Sequence, residues 1–323
     1  MFRKILYLIL PVVILLAACS PSAMNTPLPQ TATGLTRPTL VRTQPAPIIL
    51  TDGLGRQVKL DGPARRVVSL APSNTEILFA IGAGSQVVGH DELSDYPAEV
   101  AGIQSVGGSM GNFSTEAMVA LKPDLVLAAE INPPELVKTI ENLGLNVYYL
   151  PNPTTLDGMY ANLRIVAELT GHMDETSALI QTLQARVAVV DAKLVGISAK
   201  PTVFYELDAT DASKPYTAGS GTFIDLLIQR AGGLNVASTL KDQYPQVSLE
   251  ELVVLDPDII VLSDSAYGET PQKVAARPGW GTLAAVQKER MYPFDYHLLS
   301  IPGPRLVDGL EQLAKRLHPE LFK

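Results

Sequence analysis

The segment from 107 to 111 reads GGSMG and matches the G-x-S-x-G pattern that carries the serine nucleophile of many hydrolases. That pattern needs a strand running directly into Ser109 and a helix leaving directly from it. Residues 104–108 have only a weak strand pattern, and residues 112–114 delay the next helical pattern. A serine hydrolase that uses Ser109 is therefore kept as an alternative.

The four histidines of the chain are scattered and nowhere doubled, and there is one cysteine. Sites for zinc or similar ions bring several nitrogen, sulfur or oxygen ligands together, commonly at short spacings. The sequence also contains no phosphate-binding or dinucleotide-binding fingerprint. We therefore expect no metal site, no cofactor and no enzymatic activity. We expect His297 to be an exposed loop residue, and the alternative is that it reaches a cleft.

Two carboxylates occupy equivalent places in an internal repeat. Residues 113–128 read FSTEAMVALKPDLVLA and residues 247–262 read VSLEELVVLDPDIIVL, and the two align without a gap. The repeat pairs Glu116 with Glu250 near the start of two helical patterns. Similarity at so wide a spacing indicates two related lobes rather than a solenoid of short repeats.

Glu116 and Glu250 could each accept a bidentate contact from an arginine of a partner with two-fold symmetry. The simpler explanation is that a glutamate in the first turn of a helix is favoured by the helix dipole. Both explanations require that the two helices start at equivalent points of the two lobes.

The elements that position these residues follow from the hydrophobic pattern. Residues 174–195 contain no proline or glycine, and their apolar stripe predicts one helix of roughly 33 Å at about 1.5 Å per residue. Strand and helix patterns alternate on both sides of this helix, as in a mostly parallel sheet. The stripe consists of Leu179, Leu183, Val187, Val190 and Leu194.

The predicted fold class is therefore α/β, with two Rossmann-like lobes bridged by a single long helix. The predicted N-terminal lobe covers residues 48–153, the helical linker residues 154–198, and the C-terminal lobe residues 199–323. Residues 48–60 are expected to form a small hairpin that turns at an Asp-Gly pair.

The first strand pattern runs straight into a helical pattern at residues 72–76, PSNTE. Ser73 and Glu76 have the spacing of a capping box. Helix N-termini at the carboxyl ends of parallel strands bind ligands in open α/β sheets. Ser73 and Asn74 are therefore either ligand-facing residues or ordinary caps.

The N-terminus predicts export. Two basic residues, an apolar run from Ile5 to Leu16 and the sequence Leu-Ala-Ala-Cys ending at Cys19 form a signal peptide over residues 1–19. The last four residues resemble the lipobox of bacterial lipoproteins, which implies that Cys19 carries the lipid. Residues 20–47 are rich in Pro, Thr and Ser and predict a disordered tether. The folded part is thus expected outside the cytoplasm, beside a membrane.

The formal net charge of −8 argues against a nucleic-acid partner, because nucleic-acid binding needs a basic face. The charge is consistent with a soluble protein. We expect a monomer.

Five segments together carry a family resemblance: the two repeated glutamate segments, residues 66–76 (RVVSLAPSNTE), residues 94–97 (SDYP) and residues 302–305 (PGPR). The chain resembles the substrate-binding lipoproteins of ABC importers for cobalamin, ferric siderophores and heme. The resemblance implies two α/β lobes joined by one long helix, with a chelated metal compound held between them. It also implies delivery to a permease and ATPase complex, with Glu116 and Glu250 contacting permease arginines. A sensor or adhesion lipoprotein without a transporter is a further alternative.

The ligand contacts are expected in the cleft between the lobes. Relatives that bind cobalamin tend to have aromatic clefts, yet the N-terminal candidates Leu93, Met110 and Glu130 are not aromatic. Tyrosines of the second half could stack on a flat chelate, and Arg305 could pair with an anion. The candidate ligand contacts are Ser73, Asn74, Leu93, Met110, Tyr216, Tyr244, Tyr267, Tyr296 and Arg305.

Overall fold

The computed structural model describes residues 46–108 and 111–323. The predictions for the signal peptide, for Cys19 and for the tether up to residue 45 lie outside the described residues, as do those for Ser109 and Met110. Within residues 46–108 and 111–323, no helix combines the length and apolar character required to cross a membrane.

The described chain begins with the expected hairpin. Strand β1 (Ile48–Thr51) pairs antiparallel with β2 (Gln57–Leu60). The Asp52 carboxylate accepts hydrogen bonds from the backbone N–H groups of Leu54 and Arg56 at 3.0 Å, so it closes the turn from within. The Asp52 side chain also contacts the backbone of Tyr149, and this contact fixes the hairpin against the first sheet.

The N-terminal lobe, defined here as Ile48 to Leu150, is built on a parallel sheet of strand order β4-β3-β5-β6. Its strands are short and buried, as expected when helices cover both faces. The strands are β3 (Val67–Ser69), β4 (Val87–His90), β5 (Leu125–Ala129) and β6 (Val147–Leu150). The helices are α1 (Pro72–Ala80), α2 (Thr115–Ala120) and α3 (Pro134–Asn142).

The helical linker consists of α4 (Leu156–Thr170) and α5 (Met173–Leu194). Thr155 caps α4 by accepting a hydrogen bond from the Gly158 N–H, and Gly171, with φ of +84°, ends it in the left-handed conformation. The long helix α5 thus begins and ends one residue before the predicted bounds. The buried stripe of α5 consists of Thr176, Ile180, Leu183, Val187 and Val190.

The C-terminal lobe, defined here as Thr202 to Leu317, contains a second parallel sheet of order β10-β9-β7-β8. Its strands are β7 (Thr202–Glu206), β8 (Leu234–Asn235), β9 (Ile259–Leu262) and β10 (Met291–Pro293). Its helices are α6 (Phe223–Arg230), α7 (Leu249–Leu255), α8 (Pro271–Ala275), α9 (Ala284–Gln287), α10 (His297–Ser300) and α11 (Leu306–Leu317). The predicted α/β class with two parallel-sheet lobes is confirmed.

One hydrophobic core continues through both lobes. It includes Ile77 of α1, Leu163 of α4, Val187 of α5 and Leu310 of α11. Arg186 of α5 also forms ion pairs with Asp308 and Glu311 of α11, at 2.5 and 2.6 Å. Helix α5 is therefore packed against both lobes rather than exposed as a free rod between them.

The repeat that indicated two lobes has a structural basis in its Pro-Asp pairs. The Asp124 carboxylate accepts hydrogen bonds from the backbone N–H groups of Arg65 and Arg66, just before β3. In the other lobe the Asp258 carboxylate accepts from the N–H of Thr202, at the start of β7. Each aspartate thus fixes the start of the neighbouring strand, and the repetition of this contact explains that part of the repeat.

Candidate functional site

The two parallel sheets place their carboxyl ends at the boundary between the lobes. In each sheet the connections leave the first strand in opposite directions, so β3/β5 and β7/β9 are topological switch points. Ligands of open α/β sheets bind in the crevice outside such points. We call the space between the loops at the carboxyl ends of the two sheets the interlobe cleft. Contacts between Asp95 and His297 and between Tyr96 and Arg305 span it.

At the base of the interlobe cleft, Arg305 from the start of α11 meets Glu76 of α1. The Arg305 Nε donates to the Glu76 Oε2 at 3.0 Å, and Nη2 donates to Oε1 at 2.5 Å. The side chain of Glu76 is 2% exposed and that of Arg305 is 15% exposed. Burial raises the pKa of Glu76, although the ion pair with Arg305 acts in the opposite direction.

The Arg305 guanidinium also lies over the ring of Tyr96, 3.9 Å from its centroid. The charge that was expected to pair with an anionic ligand is therefore already compensated by Glu76. A contact between Arg305 and a ligand anion stays a prediction, and it now requires that the anion displace Glu76.

A second contact between the lobes involves His297, the first residue of α10. Its Nε2 lies 3.6 Å from the Asp95 carboxylate of the N-terminal lobe, and its Nδ1 lies 2.8 Å from Asp295. The His297 side chain is only 20% exposed. The expectation of an exposed loop histidine is wrong, because the turn after β10 directs this ring into the boundary between the lobes.

Two of the predicted tyrosines lie together on the C-terminal side of the cleft. The rings of Tyr267 and Tyr296 stack with centroids 6.0 Å apart, and the Tyr296 ring also contacts His297. Burial and then the Tyr267 hydroxyl raise the pKa of Tyr296, so the Tyr296 phenol stays protonated at neutral pH. Tyr267 is 77% exposed and offers most of its ring to solvent.

Tyr244 and Tyr216 occupy neighbouring loops. Burial and then the carboxylate of Glu130, from the opposite lobe, raise the pKa of Tyr244, and half of this residue is exposed. Tyr216 forms bridges with Asp208 and Gln246 and is 44% exposed. Tyr244 therefore faces the N-terminal lobe across the cleft.

The N-terminal candidates differ among themselves. Ser73 and Asn74 are buried, and the Asn74 amide donates to the Leu127 carbonyl of β5 at 3.0 Å. The N-cap of α1 is Ala71, without a side-chain cap, so the expected capping box of Ser73 and Glu76 is wrong. Helix α1 begins two residues earlier than that capping box requires, because Pro72 occupies the first helical position. Leu93, in contrast, is 55% exposed beside the cleft.

The sequence analysis missed several residues of this boundary. The local pattern predicts a capping role for Glu76, which instead pairs with Arg305. Asp95 and Tyr96 belong to a family motif and carry no predicted contact, although both reach across the cleft. The signal was present, because the Ser-Asp-Tyr-Pro segment begins four residues after the end of the buried strand β4 and therefore lies near the carboxyl edge of the sheet. Trp280, the one tryptophan of the chain, is fully buried and donates to the Ala212 carbonyl, so it packs inside the C-terminal lobe.

The segment that surrounds Ser109 does not have the surroundings of a nucleophile elbow. The Gly108 N–H donates to the Asn112 carbonyl, and Gly107 forms a bridge with Phe113. Helix α2 begins only at Thr115. The described residues next to Ser109 thus include neither the strand that should run into the serine nor the helix that should leave it.

Glu116 and Glu250 occupy matching positions on the surface. Each is exposed at the second residue of its helix, and each helix is capped by a serine, Ser114 in α2 and Ser248 in α7. In both caps the serine hydroxyl accepts a backbone N–H at 3.2 Å. The two carboxylates are therefore presented in the same local frame.

Residues 46–108 and 111–323 contain no cluster of three or more His, Cys, Asp or Glu residues arranged to hold a metal ion. The expectations of no resident metal and no cofactor stay predictions.

Comparison with known proteins adds evidence from outside the chain. Residues 67–296 match the family described as "Periplasmic binding protein". The chain is 29% identical, over 285 residues, to the "Uncharacterized ABC transporter substrate-binding lipoprotein YvrC" of Bacillus subtilis (strain 168), with 87% of this chain and 89% of the relative covered. It is 30% identical, over 279 residues, to a "Cobalamin-binding protein" of Halobacterium salinarum (strain ATCC 29341 / DSM 671 / R1), with 84% and 74% covered.

A solved structure with a similar fold is the apo form of the periplasmic heme-binding protein RhuT from Roseiflexus sp. RS-1. The TM-score is 0.71 at 27% sequence identity, and the match covers 80% of this chain and 99% of that one. The resemblance that the motifs indicated is thereby confirmed at the level of the whole folded region.

The contribution of the Glu76–Arg305 pair to the stability of the boundary between the lobes can be measured. Arg305→Met is expected to lower the free energy of unfolding by about 3–5 kcal/mol, because it leaves the Glu76 carboxylate buried without its partner. The double variant Glu76→Leu with Arg305→Met should recover most of that loss. Urea denaturation of the purified proteins measures both values. A change below about 0.5 kcal/mol in Arg305→Met would show that the lobes do not depend on this pair.

Proposed function

The chain belongs to the periplasmic binding protein family, and from that premise we propose that it captures a chelated metal compound outside the cytoplasm and delivers it to an ABC transporter. It acts by binding alone, without catalysis. The single observation that carries the proposal is the interlobe cleft at the carboxyl ends of two parallel sheets, with exposed aromatic side chains around it.

The first candidate ligand is a corrinoid. Relatives named for cobalamin binding support this choice, as does the presence of Tyr96, Tyr244 and Tyr267, which can pack on a flat ring system. The structural neighbour named for heme binding keeps heme as the second candidate, and a ferric siderophore is the third.

A binding assay tests the ligand. Purified protein is incubated with cyanocobalamin, hemin or a ferric hydroxamate and is then separated from free ligand by gel filtration. We expect cyanocobalamin to be retained in about equal molar amount, as judged by the absorbance of the protein fraction. Retention of none of the three would contradict the proposal. Ester hydrolysis that is lost in Ser109→Ala would then favour the hydrolase.

Partnership with a permease is the second part of the proposal. Two exposed glutamates in matching frames, one on each lobe, suit a partner whose two halves each present an arginine. The distance between them is held by the shared core and by α5. A sensor that lacks a transporter would not require this pairing, and the presence or absence of neighbouring genes for a permease and an ATPase separates the two cases.

Docking is tested by Glu116→Ala combined with Glu250→Ala. Uptake of the ligand by cells that carry the cognate permease should fall at least about tenfold, because two charge-assisted contacts are lost. Ligand affinity should not change. The matched control is Glu135→Ala, which removes an exposed glutamate from the first turn of α3 without a counterpart in the repeat. Normal uptake by the double variant would exclude this docking mode.

We further propose that Cys19 carries the lipid that holds the protein at the membrane as a monomer. The similarity to a relative named a lipoprotein supports this, together with the Leu-Ala-Ala-Cys sequence. In Cys19→Ser the protein should move from the membrane fraction to the soluble extracytoplasmic fraction, because the tether without its lipid has no group that inserts into the membrane. Ser20→Ala is the control. Membrane retention of Cys19→Ser would contradict lipidation at this residue.

A further inference from the structure

A cavity of about 400 Å³ opens at the carboxyl edge of the C-terminal sheet. Its walls come from the segment after β7, from the segment after β9 and from the loop that leads to α8. This is the β7/β9 switch point, where a ligand of an open α/β sheet is expected. The lining residues are Leu207, Asp208, Thr210, Asp264, Tyr267 and Glu269.

Asp264 is the unusual member of this set. The residue is 6% exposed, and its Oδ1 is buried with no N–H or hydroxyl donor within hydrogen-bond distance among the described residues. The Glu206 carboxyl group lies close enough to share a hydrogen bond with Asp264 only while one of the two holds a proton. A buried acceptor without a donor is costly, about 1–3 kcal/mol, and native proteins seldom leave one unless a ligand, a proton or a water supplies the donor.

The nearby cation, Arg277, forms no hydrogen bond to Asp264, because the bonds that it donates go to two other carboxylates. Arg277 donates to both oxygens of Glu206, at 2.6 and 2.8 Å, and to Glu269 at 3.0 Å. Asp208 is an acceptor as well, since the backbone N–H of Thr210 lowers the pKa of its carboxyl group. The cavity is thus lined by acceptors whose negative charge exceeds the local positive charge.

We propose that this cavity is a subsite that receives a hydrogen-bond-donating, uncharged group of the bound ligand, namely a primary amide, with Asp264 as the acceptor. The inference rests on the proposed function and deepens it. A corrinoid carries such amides on its periphery, whereas heme carries carboxylates that Asp208, Asp264 and Glu269 would repel. The subsite therefore selects a corrinoid over an anionic chelate.

The protonation of Asp264 gives this subsite a pH dependence. Burial and then the Glu206 carboxylate raise the pKa of Asp264 to about 7. The charged or titratable groups that face it are Glu206 and Tyr205 on β7, and Glu269 and Arg277 on either side of α8. The ionised carboxylate is the stronger acceptor for an amide N–H. Affinity should therefore rise as the pH increases through about 7.

The stability of the protein without ligand should change in the opposite sense. The folded pKa of Asp264 lies above its ordinary value, so the folded state holds a proton that the unfolded state has released. Stability from this group is therefore lost as the pH rises from about 4 to about 7. Asp264→Asn removes the effect and should gain stability relative to the wild type over that range. This gain also verifies that the variant folds.

The experiment measures the affinity for cyanocobalamin from pH 5 to pH 9, by titration calorimetry, in the wild type and in Asp264→Asn. We expect binding by the variant to be about tenfold weaker at pH 8, with a smaller difference at pH 5. A second ligand is cyanocobalamin whose peripheral amides have been hydrolysed to carboxylates, which should bind the wild type about tenfold more weakly than the parent compound. Asp61→Asn, an exposed aspartate at the other end of the N-terminal lobe, controls for net charge.

Equal affinities and equal pH profiles in the wild type and in Asp264→Asn would overturn the inference while leaving the proposed function intact. That result would mean that a water molecule supplies the donor for Asp264. Tighter binding of hemin than of cyanocobalamin by the wild type would also overturn it. Failure of the wild type to bind any of these chelates would overturn the proposed function itself, and with it the subsite.

Discussion

The contact on which the boundary between the lobes depends is the buried pair of Glu76 and Arg305. A carboxylate that is 2% exposed in the middle of a helix is unfavourable without a cation, and α1 contains no lysine or arginine of its own. The cation comes from the other lobe, after a Pro-Gly-Pro segment. A Cβ on Gly303 would lie 3.1 Å from the Glu76 Oε2, so a glycine there lets the two backbones approach. The pair therefore fixes the lobes in one relative position.

The same pair determines the electrostatics of the cleft. Because Glu76 compensates Arg305, and Glu206 and Glu269 compensate Arg277, two arginines close to the boundary contribute little positive potential to it. His297 lies between two aspartates. The carboxylates that remain give the cleft an acceptor-rich character, which suits ligands that donate hydrogen bonds more than ligands that carry carboxylates.

The features that could be predicted from the sequence are those that produce a hydrophobic period or an internal repeat. The long helix, the two parallel-sheet lobes and the matched glutamates follow from local patterns, and the structure differs from the helix bounds by one residue at each end. The cleft was harder to predict, because its residues meet across more than 200 positions. Glu76 matched a capping pattern locally, and only the fold reveals that Arg305 is its partner. In the same way, Arg277 donates to Glu206 and not to Asp264, and no local pattern in the sequence shows this choice of partner.

The repeated aspartates and the repeated glutamates therefore have different roles. Asp124 and Asp258 fix strand starts and belong to the fold, whereas Glu116 and Glu250 are exposed and contribute little to it. The valines one helical turn later, Val119 and Val253, are also similarly exposed, at 43% and 41%. Local stability does not require a matched exposed surface on two lobes, but a partner with two similar halves would. The shared core and the Glu76–Arg305 pair hold the lobes together, so that partner would meet a surface of nearly constant geometry. The partner would then sense ligand binding through the loops of the cleft rather than through a wide movement of the lobes.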